Sequence, residues 1–172
     1  VNNKSLLVAG RVQDTGGGSP LALTTNAGDI TLTGDVGTGG GTIQINSGGN
    51  LAQSGSSAIF SGPGGTVAVH STGDLVQSGT ARIFGDTVNV SAGGKLQQND
   101  NAFITTVQGG KINTNTVTTG GDVIQTGNGA ILAVNALRIT TGGNISQTDT
   151  ASILSSNSSA TLNVKGGIAL SG

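Results

Sequence analysis

A five-residue pattern recurs along this chain and constrains its fold more than any other feature. The pattern consists of glycine, a polar residue, an aliphatic residue, any residue and glutamine. Its glutamines are Gln53, Gln77, Gln98, Gln125 and Gln147. Because the same pattern returns at intervals of 21 to 27 residues, it indicates an internal repeat. Repeats of this length are typical of stacked folds in which each unit contacts only its neighbours.

The aliphatic residue of the pattern sets the period of the repeat. It occupies positions Ile30, Leu51, Leu75, Leu96, Val123, Ile145 and Ile168. The mean spacing of about 23 residues predicts that the chain forms about seven coils, each of them one turn of the solenoid. Helical repeats are longer, and their helices would be destabilised by this much glycine and β-branching. The spacing therefore favours a β-solenoid.

Each repeat contains two further apolar segments. The second segment appears as Ile59-Phe60, Ile83-Phe84, Phe103-Ile104, Ile131-Leu132 and Ile153-Leu154. The third alternates apolar and other residues, as in Ile43-x-Ile45, Val67-x-Val69, Val88-x-Val90, Leu137-x-Ile139 and Leu162-x-Val164. Alternation with period two is typical of half-buried strands, and the glycine-rich words between the segments are typical of turns. We predict an all-β, parallel β-helix with about three short strands per coil, right-handed by the general rule for parallel crossovers.

Stacking of coils turns equivalent residues into vertical columns. Leu51, Leu75 and Leu96 should lie above one another in a continuous apolar core. The glutamines should occupy a buried or half-buried corner, with their amides hydrogen-bonded along the axis as in cross-β assemblies. A buried amide without a partner would cost about 1–3 kcal/mol, so we expect each glutamine to be paired with its neighbours.

Two other columns lead to expectations. Phe60, Phe84 and Phe103 are nearly aligned in consecutive coils, which predicts a stacked column in the core, with an exposed adhesive strip as the alternative. The polar residues of the repeat form a corner column: Asp29, Asn50, Asp74, Lys95, Asp122 and Asn144. No two aspartates are adjacent in that column, an order that avoids repulsion between like charges.

The whole chain, residues 1–172, is interpreted as a single β-helix segment of a longer repeat protein. Residues 1–27 fit the repeat poorly and are expected to form an irregular first coil. Residues 28–172 should form regular coils, with a longer excursion at 105–119, where one step of the repeat reaches 27 residues. This excursion would be a protruding loop or a longer strand. That excursion is the best candidate on the chain for a contact surface.

Composition excludes several classes of function. The formal net charge is −1 and aromatic residues make up 2% of the chain, so a nucleic-acid-binding surface is not expected. There is no cysteine, which excludes disulfides and thiolate metal sites. No apolar run approaches the length of a transmembrane segment.

The sequence offers little for catalysis, and we predict no enzyme. It has no glutamate and one histidine, His70, whose sequence neighbours Ser71 and Asp74 would have to complete a triad. Triads are assembled from separated segments, so His70 is interpreted as a solvent-facing turn residue. The aspartates are dispersed, about one per coil. We therefore predict no catalytic, cofactor-binding or metal-binding residues and no cofactor.

Two residue pairs bear on the possibility of a polysaccharide lyase, because lyases with this fold need clustered acidic groups and a basic residue. Asp74 and Asp86 belong to one coil but are expected at different corners. Arg82 and Arg138 could fall on one face near the second and third strands. Both arginines are better explained as surface charges that limit edge pairing or support solubility.

The repeats resemble those of a known family. Gly142–Thr148 and Gly120–Thr126 are similar to segments of filamentous haemagglutinin-type adhesins, large exoproteins of Gram-negative bacteria exported by two-partner secretion. The resemblance covers roughly residues 28–170. It implies a right-handed parallel β-helix at the cell surface, a dedicated outer-membrane transporter for export, and adhesion to a host or neighbouring-cell receptor or glycan. The family's Asn-Pro-Asn-Gly-type secretion motif is absent, so this segment would be shaft.

The expected function is therefore that of a structural shaft segment in a secreted adhesin, which presents adhesion determinants. One alternative is a glycan-active β-helix enzyme, which three or more carboxylates converging on one face would favour. Another is a structural filament protein whose coils associate end to end.

Overall fold

The computed structural model describes residues 3–15, 18–106 and 114–171, and these residues form a parallel β-solenoid. The chain winds about seven times with about 23 residues per coil, as predicted. Each complete winding contributes one strand to each of three sheets, whose strands all pair in parallel, and the described residues contain no helix. The predicted fold class is confirmed.

The first sheet contains the strands that carry the glutamine pattern. They are β1 (Leu6–Val8), β4 (Ile30–Leu32), β7 (Leu51–Gln53), β10 (Leu75–Gln77), β13 (Leu96–Gln98), β16 (Val123–Gln125), β19 (Ile145–Thr148) and β22 (Ile168–Ser171). In each coil, a short connecting turn leads from the strand of the first sheet to the strand of the second sheet. Its strands are β2 (Val12–Asp14), β5 (Val36–Thr38), β8 (Ala58–Ser61), β11 (Arg82–Gly85), β14 (Phe103–Thr106), β17 (Ala130–Ala133) and β20 (Ser152–Ser155).

The third sheet has the longest strands, which show the clearest alternation. They are β3 (Leu21–Thr24), β6 (Thr42–Ser47), β9 (Thr66–Ser71), β12 (Thr87–Ala92), β15 (Thr114–Thr119), β18 (Leu137–Thr141) and β21 (Ala160–Val164). In β9 every second side chain is buried, which places Val67 and Val69 in the core and His70 on the surface. Period-two patterning therefore divides inward from outward residues, as expected for strands with one solvated face.

The register of the first sheet is the one that the repeat predicts. Leu75 pairs with Leu51 in the coil before and with Leu96 in the coil after. The side chains of all three leucines are fully buried. The inward aliphatics, one column from each of the first two sheets and two columns from the third, thus meet in one continuous apolar core along the axis.

The first winding is more regular than the sequence suggests. Residues 1–27, expected to form an irregular coil, contribute β1, β2 and β3, and each pairs in register with the next coil. Leu6 pairs with Ile30, Val12 with Val36 and Leu21 with Ile43. The repeat was hard to detect here because Val8 and Leu32 occupy the positions that later coils fill with glutamine.

The structure describes both ends of the stretch 105–119, where an excursion is expected. Thr105 and Thr106 end β14, and residues 114–119 form β15 of the third sheet, in which Val117 pairs with Val90 and Ile139. Residues 107–113 lie outside the described residues. The aliphatic alternation that marks the other third-sheet strands is broken in β15, because Asn115 occupies a core position that is aliphatic in the neighbouring coils.

Candidate functional site

The glutamine column is a continuous ladder of buried amides. Each Nε2 donates to the Oε1 of the preceding coil: Gln77 to Gln53 at 2.9 Å, Gln98 to Gln77 at 3.0 Å, Gln125 to Gln98 at 2.8 Å and Gln147 to Gln125 at 2.9 Å. The first four glutamines are buried, and Gln147 is half-buried. The prediction of a buried, axially paired amide column is confirmed.

The same amides also bind the backbone of the turn that leads to the second sheet. Gln53 Nε2 donates to Ser57 O and to Arg82 O, both at 2.9 Å. Gln98 Nε2 approaches Ala102 O and Ala130 O at 3.4 and 3.3 Å. Each such amide therefore joins its own turn to the next coil. The ladder holds the corner between the first two sheets as well as the spacing of coils.

A second ladder lies at the corner that precedes the first sheet. The Asp or Asn of one coil accepts a hydrogen bond from the backbone N–H of the same position in the next coil. Asp29 Oδ1 accepts from Asn50 N at 2.7 Å, and Asn50 Oδ1 accepts from Asp74 N at 2.9 Å. Asp74, Asp122 and Asn144 act in the same way toward Lys95, Asn144 and Gly167. The polar column thus supplies hydrogen-bond acceptors along the axis. This need for an acceptor explains the preference for Asp and Asn in the column better than the avoidance of repulsion between neighbouring aspartates does.

This second ladder explains the glycine of the repeat. A Cβ placed on Gly94 would overlap with the Oδ1 of Asp74, and Gly73 and Gly143 meet Asn50 and Asp122 in the same way. These glycines do not have positive φ angles. They are needed because the acceptor oxygen of the previous coil occupies the space where a side chain would lie.

A third recurring position was missed by the sequence interpretation. Two residues after the glutamine, the backbone takes the left-handed conformation in five consecutive coils, at Gly55, Gly79, Asp100, Gly127 and Asp149. Glycine reaches this conformation without steric cost, and aspartate is among the residues that tolerate it. The restriction of this position to Gly or Asp was visible in the sequence as an extension of the repeat.

The residues weighed for a catalytic triad are not brought together. His70 lies on the outer face of the third sheet, where its Nδ1 is 2.7 Å from Ser91 Oγ. It is exposed, but within strand β9 rather than in a turn. Ser71 points inward, is fully buried, and donates to Gly73 O. Asp74 Oδ1 accepts from Lys95 N in the corner ladder, so His70, Ser71 and Asp74 do not form a triad.

The charged residues are dispersed in the described parts of the chain. Residues 3–15, 18–106 and 114–171 contain no group of three or more His, Asp or Glu side chains that could hold a metal ion. Arg82 and Arg138, considered for a shared face, belong to different sheets, β11 and β18. The reason is that Arg82 begins the second strand of its coil, whereas Arg138 lies in a third strand.

The phenylalanines lie on the outside of the solenoid. Ile59, Ile83 and Ile104 fill the core column of the second sheet with fully buried side chains. Phe60 and Phe84 alternate with these isoleucines and are half-buried on the outer face. The predicted core column of phenylalanines is therefore wrong, and the aromatic side chains form an outer strip instead.

The aromatic strip has a defined geometry. Phe60 pairs with Phe84, and their rings stack with centroids 5.5 Å apart and planes 13° from parallel. Phe103 is displaced to the neighbouring outward column, where it pairs with Arg82. The guanidinium carbon of Arg11 lies 5.9 Å from the Phe60 ring centroid, a distance at which a cation–π interaction operates.

A shallow groove borders the stacked rings. It has a volume of about 350 Å³ and is lined by Phe60, Phe84, Arg82 and Asp35, together with the hydroxyl-bearing Ser56 and Thr80. Asp35 is half-buried, and its Oδ1 accepts a hydrogen bond from Ala58 N at 3.0 Å. The groove thus combines apolar ring surface with side chains that donate and accept hydrogen bonds.

Among the described residues, no helix is long and apolar enough to span a bilayer. No protein-family model, no curated protein and no solved structure matches this chain.

Proposed function

We propose that this chain is a shaft segment of a secreted adhesin on the surface of a Gram-negative bacterium. Its role is mechanical: it forms an extended rod that presents adhesion determinants to a host or neighbouring-cell receptor or glycan. The single observation that carries the proposal is the axial glutamine ladder, which joins five successive coils through buried side-chain hydrogen bonds. It supplements the backbone pairing of the three sheets along the same axis.

The physical argument concerns where the sequence places its specific interactions. The two ladders act between coils, so they stabilise stacking and length. A hydrogen bond of this kind contributes about 0.5–1.5 kcal/mol net, and the contributions add over the five successive coils that the glutamine ladder joins. A sequence that repeats its axial contacts from coil to coil is suited to bearing load along a rod.

The sequences of the repeats also support the proposal. Their similarity to filamentous haemagglutinin-type repeats favours export through a dedicated outer-membrane transporter and a location at the cell surface. Both belong to the proposal, and antibodies against this segment test them on intact cells. Labelling of unpermeabilised cells is the expected result. Signal that appears only after permeabilisation would contradict the proposed location.

A deletion of one complete winding tests the shaft role directly. Removing residues 123–144 joins Asp122 to Ile145, which keeps the strands in register and stacks Gln147 on Gln98. The rod becomes shorter by about 4.8 Å, the spacing of neighbouring strands. Cells that carry this deletion should adhere as well as wild-type cells, because a shaft tolerates a small change in length.

The control deletion removes residues 123–133, about half a winding. It shifts every later strand to the wrong sheet, so it should abolish folding and surface display. Loss of adhesion by the in-register deletion, with display and circular dichroism unchanged, would show that this winding itself carries the activity. That outcome would overturn the shaft proposal.

A second candidate is a structural filament protein whose coils associate end to end. The last described coil exposes Leu162, Ile168 and Leu170 at 39%, 52% and 68%, and these occupy inward columns that are buried in earlier coils. A further winding or another copy of the chain would bury them. Multi-angle light scattering over a range of concentrations tests end-to-end association: growing linear oligomers support it, and a constant monomer mass contradicts it.

A further inference from the structure

All three phenylalanines of this chain lie on one outer surface, and the chain contains no other aromatic residue than His70. Phe60, Phe84 and Phe103 occupy outward positions of three consecutive strands in the second sheet. Two of the three arginines, Arg11 and Arg82, lie beside them. The solenoid core is complete without these rings, because the isoleucines of the same strands fill it.

The rings are held in place by their surroundings. Phe60 lies over Gly37 of the preceding coil, where a Cβ would overlap with the far end of the ring. Phe84 stacks on Phe60 with nearly parallel planes. Neither side chain is fully buried. A rigid, partly exposed pair of rings can bind a ligand at a low cost in conformational entropy.

The polar side chains around the rings are of complementary kinds. Arg82 is exposed and offers only donors, Asp35 offers acceptors, and the hydroxyls of Ser56 and Thr80 offer both. The hydrogen bond from Ala58 N to Asp35 Oδ1 fixes the orientation of that carboxylate. A surface that combines aromatic rings with adjacent hydrogen-bond donors and acceptors is suited to binding a pyranose. The C–H groups of a sugar contact aromatic carbon, and its adjacent hydroxyls both donate and accept.

We propose that the groove between Phe60, Phe84 and Arg82 binds a pyranose unit of a glycan. The groove has a volume of about 350 Å³ and is open to solvent, so a sugar unit at the end or side of a glycan could reach it. A stable protein–protein interface needs about 800 Å² from each partner, far more than two half-buried rings provide. The mixture of polar groups at the groove also suits a hydroxyl-rich ligand better than an apolar protein surface.

The composition of the chain makes this proposal accessible to proton NMR. Because the chain has no Trp or Tyr, its aromatic proton signals come from three phenylalanines and His70 alone. The probes are methyl β-glucoside, methyl β-galactoside, methyl α-mannoside and methyl N-acetyl-β-glucosaminide, each titrated into the full chain at millimolar concentrations. At least one should shift the ring signals of Phe60 and Phe84 and give intermolecular Overhauser effects from those rings to sugar C–H protons. His70, on a different sheet, serves as the internal control.

Variants then separate the groove from the rest of the surface. Phe84→Ala should weaken binding about threefold to tenfold, the effect of losing an aromatic contact of about 0.5–1.5 kcal/mol. Phe84→Tyr keeps the ring and should retain binding. Val76→Ala is the matched control, since Val76 is half-buried on the outer face of the first sheet in the same coil. Circular dichroism establishes that each variant is folded.

Two results would overturn the proposal. One is the absence of a ring-specific shift with every glycoside, or shifts of equal size at His70. The other is a dimer, detected by sedimentation without sugar, that Phe84→Ala dissociates, because the strip would then be an interface between two copies. Neither result bears on the shaft role, which the in-register deletion of residues 123–144 tests in a winding without phenylalanine.

Discussion

Gln98 Nε2 lies 3.0 Å from Gln77 Oε1, and both side chains are fully buried. Gln98 in turn accepts from Gln125 Nε2 at 2.8 Å. A residue in the middle of the ladder is therefore donor to one coil and acceptor for the next. Its removal affects two neighbours at once, which makes it the most sensitive position for testing the ladder.

Gln98→Ala should lower the free energy of unfolding by roughly 3 kcal/mol, because it removes the side-chain donor to the buried Gln77 Oε1 and one acceptor of Gln125 Nε2. Thermal or denaturant unfolding, followed by circular dichroism, measures the change. Gln97→Ala on the same strand is the control, since Gln97 is half-buried on the outer face and its Nε2 donates to nearby Asn99 Oδ1 rather than to the ladder. Equal losses in the two variants would show that the ladder does not contribute as argued.

Gly94→Ala tests the reason for the glycine in the repeat. Its Cβ would overlap with Asp74 Oδ1, so the variant should be destabilised by about 2–3 kcal/mol, within the range for overpacking. When Asp74 is replaced by alanine, that oxygen is absent, and Gly94→Ala should then lower the free energy of unfolding by less. Unfolding of the four proteins of this double-mutant cycle gives the coupling. Additive effects would contradict a direct clash.

Lys95→Asn should stabilise the protein. Lys95 cannot accept a hydrogen bond from Asp122 N, whereas an asparagine there would extend the corner ladder by one step worth about 0.5–1.5 kcal/mol. The exposed pair between Lys95 Nζ and Asp74 Oδ2, at 4.0 Å, is lost, and such pairs contribute about 0–1 kcal/mol. We expect a small net gain in unfolding free energy. Lys95→Ala isolates the loss of the charge, and an Asn variant no more stable than the Ala variant would refute the mechanism.

Ile83 and Phe84 are sequence neighbours on opposite faces of β11, so truncating each should have different costs. Ile83→Ala removes a fully buried side chain and should lower the unfolding free energy by about 2–5 kcal/mol. Phe84→Ala removes a half-buried outer ring and should cost about 1 kcal/mol, mainly the stacking on Phe60. The reverse order in chemical denaturation would place the phenylalanine in the core.

The glutamine ladder and the coil stacking could be predicted from the sequence because the same residues recur at equivalent positions of successive repeats. When Leu51, Leu75 and Leu96 return with the same neighbours, only one register superposes them, and that register also superposes the glutamines. The first coil was harder to place, since Val8 and Leu32 stand where the glutamine would be. Asn115 concealed a strand for the same reason, because its polar side chain interrupts an aliphatic column.

The faces of the second sheet could not be predicted in the same way. Ile83 and Phe84 are both apolar and adjacent, and a shift of one residue exchanges the inward and outward faces. The four-residue strand β11 is too short for its alternation to decide which of them enters the core. The turn after the glutamine decides it, with left-handed Gly79 and the amide bonds of the ladder fixing where β11 begins.

The sequence by itself determined the period, the parallel stacking and the buried amide column, because contacts that recur from coil to coil require the same residue types at equivalent positions of the repeat. The tertiary structure alone decided that the phenylalanines face outward and that each repeat glycine makes room for an acceptor of the previous coil. Those properties depend on the direction of a side chain and on the space between two windings, and both are set by contacts between residues far apart in the chain.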